Sequence, residues 1–106
     1  MAVSPRRILM TAPALTDLDE VYDFIANDSD VAAQRFTTAL LTDLYRVAEI
    51  GYTGVPRDHI RKGLRLHRYG SYCIYFRVDG DMLVVVRILH GSRDIGAVEF
   101  DSGESA

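Results

Sequence analysis

Apolar positions along this chain recur at a helical period in its first half and alternate in its second. Arg6 to Met10 is a short apolar run ahead of Thr11-Ala12-Pro13 and reads as a first strand. Leu15, Leu18, Val21 with Tyr22, and Ile25 then follow at intervals of three or four, while Asp17, Asp19, Glu20 and Asp23 take the other face or the first turns. This predicts an amphipathic helix that Thr11 caps, that starts near Pro13 and that ends near Asn27-Asp28. Ser29 or Asp30 caps a second helix, in which Ala32, Ala33, Phe36, Leu40, Leu44, Val47 and Ile50 keep helical spacing until Gly51. So short a connection makes the two helices an antiparallel hairpin.

Gly51 to Gly63 has no periodicity and is expected to be a loop, with at most one helical turn near Asp58 to Arg61. Beyond it, Leu64 to Tyr69 alternates, Tyr72 to Val78 is rich in aromatic and β-branched residues, and Met82 to His90 is nearly all strand formers. Gly70-Ser71 and Asp79-Gly80 are tight-turn signals, so these three segments form an antiparallel meander. A two-residue turn at Asp79-Gly80 pairs Val78 with Asp81. Ile74, Phe76, Leu83 and Val85 then share one face, and Tyr75, Arg77, Met82, Val84 and Val86 share the other. Both faces of the last strand are apolar, yet one helical hairpin covers only one face. Either a folded-back tail carrying Ile95, Val98 and Phe100 or a separate protein is needed for the second. A bulge in the last strand would exchange the two sets.

The size suits one domain spanning residues 1–106, with a flexible tail over about 97–106. A single cysteine, Cys73, and no apolar signal-like run behind Arg6-Arg7 point to a cytoplasmic protein, and no stretch is long enough to span a membrane.

Charge changes the picture more than composition does. Between Arg57 and Arg93 eight Arg and Lys face three acids, whereas residues 1–56 carry four basic and eight acidic side chains, and residues 94–106 carry four acids and no base. A net charge of −3 therefore conceals a basic sheet between acidic flanks, a pattern that bears on partners. Arg65, His67 and Arg68 either hold phosphates or form the solvated face of an edge strand. Arg87, inside an apolar strand, requires a carboxylate or backbone carbonyls close by. His59, His67, His90 and Cys73 match no zinc spacing, and Ser71 and Ser92 sit in turns, so neither a metal nor a serine or cysteine nucleophile is expected.

The order strand, helix, helix, three strands, with Gly63-Leu64-Arg65, Tyr72-Cys73-Ile74-Tyr75-Phe76 and the closing Arg87-Ile88-Leu89-His90-Gly91-Ser92-Arg93-Asp94, resembles the RelE/ParE superfamily of toxins, its ParE branch above all. The resemblance covers about residues 6–95, including Ala14, Asp17-Leu18, Ile25 and Gly54. It implies an α+β fold, β-α-α-β-β-β, whose antiparallel sheet packs against the antiparallel helical hairpin. It also implies a cognate ParD-like antitoxin with an acidic C-terminal segment, in a toxin–antitoxin hetero-oligomer.

RelE-like relatives cut messenger RNA on the ribosome with sheet cations and a tyrosine just past the last strand, whereas ParE-like ones poison DNA gyrase. Here that segment reads GSRDIGAVEF and has no Tyr, Lys or His, which favours the gyrase inhibitor, a non-enzyme without cofactor, over the ribonuclease. A non-toxic interaction module with the same fold is the third alternative. The residues expected to meet the target are Arg61, Arg65, His67, Arg87, His90 and Arg93. Those expected to meet the antitoxin are Tyr75, Arg77, Met82, Val84 and Val86.

Overall fold

A computed structural model describes residues 6–98 and 100. Strand β1 (Arg7–Met10) leads into helices α1 (Ala12–Ala26) and α2 (Asp30–Ile50), followed by β2 (Val55–Pro56), β3 (Arg65–Tyr69), β4 (Tyr72–Asp79), β5 (Met82–His90) and a single 3-10 turn at Ile95–Ala97. The sheet order is β1-β5-β4-β3-β2. Helix starts follow the expected chemistry: the Thr11 hydroxyl accepts from the Ala14 amide and the Ser29 hydroxyl accepts from the Ala32 amide. Thr11 is itself buried and donates to the Val86 carbonyl at 3.0 Å, which pins the start of α1 to the middle of the sheet.

The α+β class and the helical hairpin hold, but the sheet is mixed and five-stranded. β1 runs parallel to β5, with Arg7 opposite Met82 and Met10 opposite Val85. β5 is thus an interior strand, hydrogen-bonded to β1 on one side and β4 on the other, and the helices cover one of its apolar faces. Part of the expected loop is also strand, since Val55 and Pro56 pair with Leu66 and Arg65. Two residues ending in proline carry no periodicity and can only be edge, which is where they lie.

The β4–β5 turn is Gly80-Asp81 rather than Asp79-Gly80, because Asp79 pairs with Met82. Gly80, at φ 59°, takes the first turn position, where a left-handed conformation is required. This shift moves the pairing by an even step, so the expected faces survive. A bulge follows: Phe76 opposes Val85 but Tyr75 opposes Arg87, leaving Val86 as the extra residue. Because it falls after Val85, it does not exchange the two sets. Ile74, Phe76, Leu83, Val85 and Ile88 pack against Ala14, Leu40, Leu44 and Val47 of the helices.

On the opposite face, Leu64, Leu66, Cys73, Tyr75, Val86 and Leu89 form a second cluster with Phe100, flanked by Ile60, Ile95 and Val98. The folded-back tail thus covers this face, and the Phe100 ring meets Tyr75 edge-on at 4.9 Å. Of the tail expected to be flexible, residue 99 and residues 101–106 lie outside the described residues, while Phe100 is buried. No helix among the described residues is long and apolar enough to cross a membrane.

Candidate functional site

Beside the bulge, Arg87 turns toward α1. Its Nε and Nη2 donate to the two oxygens of Asp17, at 2.6 and 2.8 Å, with only 15% and 4% of the side chains exposed. The Ile88 amide donates to the same carboxylate at 3.0 Å. A two-pronged guanidinium–carboxylate contact with a third donor satisfies most of the buried charge and fastens α1 to the irregular point of β5. This is the carboxylate that Arg87 requires. Asp17 is correspondingly not on the solvent face; its spacing from the buried Ala14 and Val21 puts it on the apolar stripe of α1.

His67 lies on the helix side of β3. Its Nε2 is 2.6 Å from an Asp43 oxygen on α2, and Arg46, one turn along, donates to the other oxygen at 3.1 Å. Burial pushes the Asp43 carboxyl up, but the hydrogen bonds and charges of His67 and Arg46 outweigh it and hold the group below its usual 3.8. The Tyr52 ring meets the His67 imidazole edge-on at 5.8 Å.

Unfolded chains therefore bind more protons than folded ones between that lowered value and 3.8, and this contribution to stability is complete above 3.8 and fades as pH falls through the folded value. Asp43→Asn is expected to cost about 1.5–3 kcal/mol near neutrality, the scale of a hydrogen bond to a charged group. Urea unfolding of both proteins as a function of pH checks this: the gap should close in acid, and a constant gap would contradict it.

The other target candidates are dispersed. Arg65 donates through Nε to the Thr53 carbonyl and so braces the loop against β3. At the far end of the sheet, the His90 Nδ1 pairs with the Ser92 hydroxyl at 2.8 Å and accepts from the Ser92 amide, and its ring sits edge-on to Tyr72 at 5.3 Å. Exposed Arg93 joins His90 there around a shallow recess of about 130 Å³ that also touches Asp17 and Phe24. Arg61 instead lines a recess of about 370 Å³ with His59 and Phe100, beside the folded-back tail.

The structure therefore brings His90 and Arg93 together and keeps Arg61, Arg65 and His67 apart from them. Among the antitoxin candidates, Tyr75, Val84 and Val86 are buried in the free chain, whereas Arg77 and Met82 are partly exposed. Burial raises the Tyr75 phenol above its ordinary value, with a further push from Cys73 against the pull of Arg57 and Arg68. No cluster of three metal-ligating side chains occurs among the described residues.

Sequence reasoning passed over Asp43, Arg46 and Tyr52. The signal was present for Asp43, which sits three residues beyond Leu40 and four before Val47 on the buried side of α2. For Tyr52 there was none, because nothing local tells a loop tyrosine which strand it will meet.

The model of the ParE toxin of the type II toxin–antitoxin system parDE matches residues 8–95. Toxin ParE3 of Caulobacter vibrioides is 27% identical over 92 residues, covering 86% of this chain and 92% of that protein. Toxin ParE1 of Mycobacterium tuberculosis is 31% identical over 91 residues, covering 84% and 93%. In fold, the chain is similar to one from the chromosomal ParDE toxin–antitoxin system of P. aeruginosa, with a TM-score of 0.65, 20% identity, and 80% and 95% of the two chains covered.

Proposed function

Since the chain belongs to the ParE toxin family of type II toxin–antitoxin systems, matched from residue 8 to residue 95, it is the toxin of such a pair, and we propose that it inhibits DNA gyrase and is neutralised by a ParD-like antitoxin. In this reading it acts by binding and catalyses no reaction.

The observation that supports binding over RNA cleavage is the placement of the proton carriers. Ribonuclease chemistry needs an acid and a base converging on one ribose. His67 is bonded to Asp43 on the helix side of β3, His90 is bonded to Ser92 at the end of β5, and the Tyr75 phenol is buried. Arg87 is committed to Asp17. The target contacts fall to the cations at the two ends of the sheet, Arg65 and Arg61 at one and Arg93 with His90 at the other. His67 and Arg87 hold the strands that carry them. The antitoxin's acidic segment meets Arg77 and Met82, with Tyr75, Val84 and Val86 supporting that surface from beneath.

Purified protein titrated into gyrase supercoiling and DNA-cleavage assays tests this, with ribosome-bound messenger RNA in parallel. Lost supercoiling with trapped cleaved DNA is the expected result, and codon-phased RNA cuts with unaffected gyrase would overturn it in favour of a RelE-like ribonuclease. Arg65→Ala combined with Arg93→Ala is expected to weaken growth arrest without antitoxin by tenfold or so, the scale of one to two charged contacts. Unchanged arrest by the folded double variant would remove both residues from the target surface.

A further inference from the structure

Between the C-terminal turns of α2 and the open edge of β3 lies a cleft of about 510 Å³, within the range of small-molecule sites. Two features set it apart from the rest of the surface. Of the large apolar side chains that the fold leaves exposed, Ile50, Tyr52 and Val55 all line this cleft, with exposures of 65%, 41% and 46%. Around them stand Arg46 and Arg57, with His67 in the wall; Arg68 also lines the cleft, but its Nη1 lies across the sheet toward Gly91, and no carboxylate lines the cleft. Asp43, which bonds two of the lining side chains, has one oxygen on His67 and the other on Arg46.

A cleft with an aromatic ring held against a histidine, apolar walls and the arginines Arg46 and Arg57 is complementary to a flat ring that carries an anion. A simple anion would leave Ile50, Tyr52 and Val55 unused, and an apolar molecule would leave the arginines unused. We propose that this cleft, between α2, the loop at Tyr52 and β3, is a binding site for a nucleoside phosphate, with the base stacked at Tyr52 and the phosphate held by Arg57. The phosphate-bearing nucleoside is either a free nucleotide or the end of a single strand. The assignment is independent of the identity of the toxin's target.

Isothermal titration with 5′-AMP, adenosine, inorganic phosphate, a 5′-phosphorylated oligothymidylate and hexaglutamate tests it, with NMR shifts of the Tyr52 and His67 rings as the locator. AMP is expected to bind at least about tenfold more tightly than adenosine or phosphate, in line with one stacked base. Tyr52→Ala and Arg57→Gln should each weaken it by about tenfold, while Arg93→Gln, outside the cleft, leaves it unchanged. An oligonucleotide that binds more tightly than AMP identifies a strand end as the ligand, and equal affinity identifies the mononucleotide. Hexaglutamate binding as tightly as AMP would overturn the proposal in favour of an acidic-peptide groove. Absence of saturable shifts at Tyr52 and His67, or binding unaffected by both cleft variants, would also overturn it.

Discussion

Asp17→Ala is expected to destabilise the domain by about 3–5 kcal/mol, the cost of removing one partner of a buried ion pair. The loss is compound. Arg87, with its side chain 15% exposed, keeps its charge but loses both acceptor oxygens, and the Ile88 amide at the bulge loses its acceptor as well. Set against a total of roughly 5–15 kcal/mol for a domain of this kind, the variant stands near the edge of folding. Two comparisons isolate the cause. Asp17→Asn retains an acceptor for one donor and should recover part of the loss. The double variant Asp17→Leu with Arg87→Met removes both charges and should recover more, because an apolar pair of similar size avoids desolvating ions. Equilibrium urea unfolding measures all three. A fully stable Asp17→Ala protein would show that Arg87 reaches solvent or another acceptor at little cost.

Gly54→Ala carries the second large effect, about 2–5 kcal/mol, and for a different reason. Gly54 has φ 68°, a conformation that costs an alanine roughly 1–2 kcal/mol. A methyl group placed there would come within 2.7 Å of the Leu66 carbonyl oxygen and 2.8 Å of the Phe76 ring. Phe76 is fully buried at the centre of the helix-facing core, so neither neighbour can yield cheaply. Phe76→Leu should relieve the ring contact but not the backbone one, so the double variant should be only partly less damaged than the sum of the single ones. Thermal unfolding of the four proteins checks this, and strict additivity would mean that the ring is not where the methyl group goes.

These two positions also mark where the sequence could and could not be read. The helices, the order of strands and the split of β4 and β5 into two faces follow from local periodicity, and they hold even though the turn sits one residue along and Val86 bulges. Arg87 announces a partner because a charge in an apolar strand must have one. Its identity is harder to see: Asp17 lies among Asp19, Glu20 and Asp23 and looks like one more solvated acid until its spacing from Ala14 and Val21 is given weight. The parallel β1–β5 pair and the brief β2 had no local signal at all, since both depend on which distant strand has an unpaired edge. The Tyr52 cleft was invisible for the same reason, its walls coming from α2, a loop and β3.

The pairing of the first strand with the last bears on the protein's synthesis. β1 leaves the ribosome early, but its neighbour β5 is made only after both helices and the three other strands. At roughly 5–20 residues per second, Arg7 waits several seconds for Met82. Until then Ile8 and Met10 have neither a sheet nor a finished core beneath them. Nascent and prematurely terminated chains consequently lack the central strand on which the helices and the basic surface are assembled. The folded sheet, and with it the surface an antitoxin would recognise, therefore exists only once β5 has been made.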